Sequence, residues 1–294
     1  MVFPNLAYGT PRKLPKAKSL PGRVVVLDIA FASTAGGASF EKVTLPFIEG
    51  LGDRLAMWVD HHDHERHAHY RQDPRFVLRT KAEAPACPEL VTPAIVEAAG
   101  PVDTICCHGD FDGLCAAAKW IRGGEEPYPG ADADARAIDT RLGKPSELGQ
   151  LLDRALRGRP RDDGLKGLLV RFLVEGARDA GMREIFESAG RELARHEEET
   201  LRIAKGYEIE GSLAVCDATS RNGFYDKTML LLLGQERAKV AVVHDETTVT
   251  IAARFDSGVN LLEIFGLEGG MPTRVSVAKK DLPRVLEELR ARFG

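Results

Sequence analysis

The sequence predicts an α/β fold: a parallel-sheet domain, a helical stretch and a smaller α/β domain at the C-terminus. Three observations carry this. Short apolar runs that end in polar residues ("RVVVLD", "AMWVDHH", "VDTICCHGD") alternate with helix-like stretches, the pattern of a parallel sheet. From Pro145 to about Glu208 the pattern changes to amphipathic helical segments with Gly and Pro breaks. After Gly211 strand-like runs return. The expected divisions are residues 1–145, a helical linker over 146–208, and residues 209–294.

The elements follow in order. The first twenty residues, rich in Pro, Lys and Gly, read as an irregular lead-in. "RVVVLDIAF" is the first strand and "ASTAGGASF" a loop; "TLPFIEGLGDRLAMWVDHH" is a helix or loop leading into a second strand. "VTPAIVEAAG" is helical, with Gly100 ending it. "VDTICC" is a third strand, in which Cys106 and Cys107 act as small core residues, and "LCAAAKWIRGG" opens a helix. The helical stretch comprises "PSELGQLLDRAL", "GLKGLLVRFLVEGARDAG" and "MREIFESAGRELARHEEETLRIAKGYE". Beyond it come strands at "SLAVCDA", "KVAVVH" and "TVTIAARF", then a closing helix, "KKDLPRVLEELRARF".

Composition narrows the function. The 294 residues carry a formal net charge of −4, so no global positive field draws in nucleic acid, and a basic channel for long single strands is not expected. "PRKLPKAKSLPGR" and "RALRGRPR" lack interleaved aromatics and read as solvated surface. Five cysteines, an odd number without a Cys-x-x-Cys pair, argue against a disulfide framework or a thiolate zinc site. No signal-peptide core and no membrane-length apolar run are visible, so a cytoplasmic setting without membrane association is expected.

The chemistry gathers at the strand ends. "MWVDHHDHERHAH" alone holds five of the eight histidines. If the three apolar runs are neighbouring strands, Asp28, Asp60-His61-His62 and His108-Gly109-Asp110-Phe111-Asp112-Gly113 meet at one sheet edge, where α/β folds collect functional groups. A further acid, Asp139, closes "ADARAIDTRLG", with Asp132 and Asp134 as alternatives nearby. Carboxylates so crowded repel one another and are costly to keep ionised unless a multivalent cation joins them. Carboxylate-rich sites with one or two imidazoles suit Mn²⁺ or Mg²⁺. His108, Asp110 and Asp112, spaced two apart, project to one side of an extended segment; Gly109 and Gly113 permit a tight turn, and Gly113 precedes a helix. Asp28 taken alone also reads as a strand-end cap, and His64, His67 and His69 read as surface residues or supports rather than ligands.

"VDHH" and "HGDFDG" together resemble the DHH phosphoesterases, which cleave phosphodiester or phosphoanhydride bonds with two manganese ions. The family's signatures are His-x-Asp-x-Asp-Gly, a strand-end Asp, Asp-His-His and a later Asp-Thr; this chain has His108–Gly113, Asp28, Asp60–His62 and Asp139-Thr140. The order differs, since His-x-Asp-x-Asp-Gly here follows the other two, as in a circular permutation. The resemblance implies that His108 and Asp110 bind one metal, that His61, Asp112 and Asp139 bind the other, and that Asp28 bridges. It also implies that His62 contacts the phosphoryl oxygen or leaving group, with Asp60 as its partner. "VTIAARFDSGVNLLEIFGLEGGMPTRVSV" resembles the associated substrate-binding domain and implies substrate contacts at Arg254, Gly269, Gly270 and Arg274. Met271-Pro272 replaces the family's last Gly-His there, and Arg254 could instead pair with an acid.

The expected function is a two-metal, Mn²⁺-dependent phosphoesterase (Mg²⁺ also fits) acting on nucleotides or short oligonucleotides. Two alternatives stand beside it: an inorganic pyrophosphatase or polyphosphatase, and a non-catalytic nucleotide-binding protein that keeps the metal site. A third would make Asp110 the nucleophile of a haloacid-dehalogenase-like phosphatase, which leaves Asp-His-His unexplained. The oligomeric state is open, a homodimer included.

Overall fold

A computed structural model describes residues 3–33, 38–219 and 225–294. The chain divides into two compact units, one running to Arg191 and one from Glu192 to Gly294, with Ser33 grouped with the second. The expected "ASTAGGASF" loop falls partly outside the described residues.

The first unit is built on β1 (Asn5–Tyr8), β2 (Val24–Leu27), β3 (Leu55–Asp60), β4 (Phe76–Leu78) and β5 (Thr104–Cys107). They form a single sheet in the order β1-β5-β2-β3-β4, with every pairing parallel. The register sets Leu27 beside both Val59 and Cys107. Asp28, Asp60 and His108 therefore leave the sheet side by side at its carboxyl edge. The three strands read from sequence are neighbours, as their shared polar endings required.

Strand alternation divides the apolar side chains between two cores. Val25, Leu27, Met57, Val59, Ile105 and Cys107 face helices on one side. Val24, Val26, Trp58 and Cys106 face Phe31, Phe40 and Phe47 on the other. The helices are α1 (Leu45–Leu51), α2 (Pro93–Ala99), α3 (Phe111–Ile121), α4 (Ala131–Thr140), α5 (Glu147–Gly158), α6 (Asp163–Val174) and α7 (Ala180–Ile203). α3 is buried along almost its whole length, which its small Cys115, Ala116, Ala117 and Ala118 permit.

Three expectations differ from the structure. The lead-in contains a strand: β1 pairs with β5 from Asn5–Thr104 to Tyr8–Cys107. A four-residue edge strand with one exposed end has no clear alternation to betray it. β4 has only three residues and was equally silent. The division between units falls within α7, inside the expected helical stretch, but most of that stretch belongs to the first unit instead of forming a separate linker. Leu152, Leu156, Leu169, Phe172 and Leu173, whose helical spacing read as a linker, are the stripe that covers the sheet.

The second unit carries β6 (Glu208–Glu210), β7 (Leu213–Asp217), β8 (Val240–His244), β9 (Thr248–Ala253) and β10 (Arg274–Ala278). Their order is β10-β9-β8-β7-β6, parallel only between β7 and β8. The C-terminal helix Leu282–Phe293 places Val285 and Leu289 in this unit's core. The strands and helix read from sequence here are present. No helix among the described residues is long and apolar enough to cross a membrane.

His64 and His67 are buried rather than at the surface, and His69 is exposed. Phe31 meets the His67 ring edge-on at 5.0 Å, and neither nitrogen of that ring has a hydrogen-bond partner among the described residues. Burial lowers the His67 pKa from 6.5 to about 4. The unfolded chain thus takes up this proton at higher pH than the folded one. Stability is full above about pH 6.5 and falls as the pH drops toward 4, by on the order of 3 kcal/mol. His67→Phe, which keeps the ring, should flatten that part of the curve in urea unfolding at pH 7 and pH 4.5. An unchanged slope would show that His67 does not carry the effect.

Candidate metal centre

β2 delivers Asp28, 2 % exposed, in a left-handed backbone conformation with φ 57°. Such strain in a non-glycine residue persists only where the surroundings over-determine it. The Asp28 N–H donates to Val59 O at 2.9 Å, and Leu27 O accepts from the His108 N–H at 3.2 Å, so the neighbouring strands fix the turn. The two carboxylate oxygens face different partners: Oδ1 lies 3.0 Å from His61 Nε2, and Oδ2 lies 3.8 Å from His108 Nδ1.

β3 delivers Asp60, His61 and His62. Burial and Lys81 work against a charge on His61, yet Asp112 and Asp28 raise its pKa well above the ordinary value; Nδ1 donates to Ala84 O at 2.8 Å, which turns Nε2 inward. That nitrogen lies 3.1 Å from Asp112 Oδ2 as well as beside Asp28. His62 Nδ1 donates to the fully buried Asp60 at 2.8 Å, leaving His62 Nε2 as the ring nitrogen Asp60 does not engage. Despite burial, the His62 partnership holds Asp60 down to about 2, while burial keeps the His62 pKa below its ordinary value.

The "HGDFDG" segment converges for a reason other than strand alternation. Its extended part ends with β5, and Asp110 is the N-cap of α3, its Oδ1 accepting from Gly113 N–H at 3.1 Å. Asp112 stands in the helix's first turn, and Gly113 lies inside the helix rather than before it. A Cβ at Gly113 would sit 2.5 Å from His108 O, so the turn closes only over glycine. His108 Nδ1 donates to Asp110 at 2.8 Å. Burial would lower the His108 pKa, but Asp110 and then Asp28 push it up to about 9. The Cys87 N–H donates to Asp112 Oδ2 at 3.2 Å, whereas Asp112 Oδ1 is buried without a hydrogen-bond partner.

Asp139, in the last turn of α4, reaches the same place. Asp132 is instead 2.5 Å from Lys119 Nζ, and Asp134 accepts from Tyr128 Oη at 2.7 Å. Ligand atoms fall into the groups Asp28-His108-Asp110, His61-Asp112-Asp139 and Asp28-His61-His62, each within 4.8 Å. All six residues read from sequence as ligands are therefore brought together.

These residues fit a hard divalent cation. Burial, then the neighbouring Asp112 and Asp110, raise the Asp28 carboxyl well above the ordinary range; burial raises Asp112 too. An unpartnered buried Asp112 oxygen, a shared Asp28 and a carboxylate–imidazole donor set each call for a positive charge.

One participant was not read from sequence. Lys81, 2 % exposed, sends Nζ to within 2.9 Å of His61 Nε2 and pairs with Asp139. Burial works against its charge, yet Asp139, Asp112 and Asp28 hold its pKa above the ordinary lysine value. The Thr80–Glu83 turn that presents it is locked reciprocally: Thr80 N–H donates to Glu83 Oε2 at 2.7 Å and Glu83 N–H to Thr80 Oγ1 at 3.3 Å. That Thr-x-x-Glu box is visible in "TKAE"; the inward course of the lysine is not.

In the second unit, Arg254 is solvent-exposed and forms a fork with Asp256 at 3.0 and 2.9 Å. Gly269 is buried and Gly270 has φ 132°, while Arg274 begins β10 with Nη1 3.4 Å from Thr228 Oγ1.

The chain matches no protein-family model and no curated protein sequence. Among solved structures it is similar to PggH, a pGpG-specific phosphodiesterase from Vibrio cholerae, at 12% identity and TM-score 0.43, covering 93% of this chain and 99% of that one. It is also similar to the exonuclease RecJ bound to manganese, at 15% identity and TM-score 0.35, over 63% of this chain and 49% of that one. An uncharacterized Helicobacter pylori G27 protein aligns at 11% identity and TM-score 0.27, over 92% and 83% of the two chains. These overlaps are loose, and the reading of the site rests on its own residues.

If the cluster holds a cation, Mn²⁺ at a hundredfold excess over its dissociation constant should stabilise the fold by about 2.7 kcal/mol. Thermal melts with and without Mn²⁺ measure this. Asp28→Asn should abolish the Mn²⁺ response while melting no lower than wild type in chelator, because a crowded charge is gone. A wild-type midpoint indifferent to Mn²⁺, Mg²⁺ and chelator would remove the metal assignment.

Proposed function

We propose that the protein is a divalent-metal-dependent phosphoesterase that hydrolyses phosphodiester or phosphomonoester bonds of nucleotides or short oligonucleotides. The observation that carries this is the convergence of Asp28, His61, His108, Asp110, Asp112 and Asp139 at one sheet edge. The four motifs that resemble the DHH phosphoesterases are the source of all six. Mn²⁺ suits the donor set and Mg²⁺ is the natural competitor. Bound there, such an ion supplies a Lewis acid for a phosphoryl oxygen and makes a water more acidic.

The chain's own groups do the rest. His61 is fixed in orientation by Ala84 O and in tautomer by the same hydrogen bond. His62, anchored on Asp60, has Nε2 left for a phosphoryl oxygen or a leaving group; its depressed pKa keeps the ring neutral near pH 7. In the second unit, Arg254 is proposed to trade its Asp256 fork for a substrate phosphate, since a guanidinium suits bidentate oxygen pairs. Gly269, Gly270 and Arg274 are proposed to line the same contact.

Purified protein with Mn²⁺ should turn over a bis-aryl phosphate ester and dinucleotides. Turnover of inorganic pyrophosphate alone would favour the pyrophosphatase reading, and nucleotide binding without any turnover the non-catalytic one. His61→Ala and Asp112→Asn should each lower kcat/KM at least about a hundredfold while the far-ultraviolet circular dichroism is preserved. Full activity in either variant would take that residue out of the site.

His62→Ala should cost about 10²–10⁴ in kcat without changing Mn²⁺ affinity. Arg254→Ala should raise KM with kcat unchanged. An unaltered KM takes Arg254 out of the substrate site, and a His62→Ala enzyme of normal kcat removes His62 from the chemistry.

A further inference from the structure

The metal-dependent reading leaves a lysine inside the ligand cluster unexplained. Lys81 is among the largest fully buried side chains of the chain. Its Nζ does not stop at the rim: it lies 2.9 Å from His61 Nε2 and against Asp139, two of the three residues in the deeper ligand group. The third, Asp112, shares that His61 nitrogen at 3.1 Å.

One turn controls both nitrogens of the His61 ring. Ala84 O accepts from Nδ1 at 2.8 Å, and Lys81, three residues earlier, donates to Nε2. The turn is held by the Thr80–Glu83 box and by Lys81 N–H donating to Asp63 Oδ2 at 3.2 Å. The ammonium is thus delivered by a locked backbone rather than by a loose surface arm. The remaining group differs. Side-chain exposure is 32% for His108, 47% for Asp110 and 2% for Asp28, against 0% for His61, 3% for Asp112 and 20% for Asp139. The His108 side is the more open of the two, while the deeper group already faces a cation.

We infer that Lys81 is a built-in cation of the His61-Asp112-Asp139 group, so that this chain binds one divalent ion, at Asp28, His108 and Asp110, rather than two. The ammonium takes over the charge compensation a second ion would provide, and the exchangeable ion is left to meet the phosphoryl group. This rests on the metal-dependent reading above.

Metal content separates the possibilities. Full-length protein is stripped with chelator, reloaded with Mn²⁺, desalted and assayed for Mn per chain, and its electron paramagnetic resonance spectrum is recorded. Wild type should hold about one equivalent with the spectrum of an isolated ion. Lys81→Met, of similar length and no charge, should hold about two equivalents, with a spectrum broadened by coupling between ions. Asp139→Asn added to Lys81→Met should return the content to about one. Should Lys81→Met fail to fold, the wild-type stoichiometry and spectrum decide alone. Two coupled ions in wild type overturn the inference but leave the metal-dependent reading intact, as does a Lys81→Met protein that stays at one. No bound Mn²⁺ in either protein overturns both.

Discussion

The structure of the first unit turns on electrostatic crowding at the carboxyl edge of its sheet. Asp28, Asp110, Asp112 and Asp139 stand around two imidazoles, and Asp28 and Asp112 are 2 % exposed. Carboxylates at such range and burial oppose folding unless positive charge is brought to them. The chain meets the constraint partly with hydrogen bonds and partly with Lys81. Backbone amides of Cys87 and Gly113 donate to Asp112 and Asp110, Ala84 O orients His61, and the buried ammonium faces Asp139. What is left over, at Asp28, His108 and Asp110, is the demand that the proposed divalent ion would answer.

Parallel strands make that crowding possible. In an all-parallel sheet every carboxyl end lies on one edge, so three short strands need only polar endings to build a site. The register puts Leu27 level with Val59 and Cys107, and the residues that follow diverge by local backbone geometry. Asp28 turns through a left-handed conformation, Asp60 stays in the strand to hold His62, and Asp110 caps α3. The same edge therefore presents a strained carboxylate, a supporting carboxylate and, two residues beyond the level position His108, a capping carboxylate.

Much of this was legible in the sequence because the apolar runs of β2, β3 and β5 are long enough to be unmistakable and end in acids or histidines. The six candidate ligands that the family resemblance pointed to do come together, while Asp132 and Asp134, left open beside Asp139, find other partners. What escaped notice depends on contacts distant in the chain. β1 is a strand because β5 offers it an edge, not because "NLAY" alternates. The amphipathic stripes of α5 and α6 look alike whether a helix spans domains or roofs a sheet, so their place in the first unit was hidden. His67 reads as a polar residue of a histidine-rich loop, yet Phe31 and its neighbours enclose it. Lys81 reads as an ordinary charged turn residue, since composition cannot tell which way a side chain points.

Lys81 also shows why a matched ligand set does not fix metal number. A motif specifies donors, but occupancy depends on the positive charge the fold already supplies. The four carboxylates carry four negative charges; the ammonium and one divalent ion carry three, and two divalent ions alone would carry four. Either arrangement comes close to neutrality, so net charge does not choose between them. Geometry does: the deeper group holds the fully buried His61 and Asp112, and it is the one that Lys81 enters through a turn held at both ends. A cation tethered by a covalent stem is not lost to dilution or chelation, whereas the His108 side, with its half-exposed Asp110, remains open to exchange with solvent. In that division of labour one positive charge belongs to the fold and the other to the chemistry.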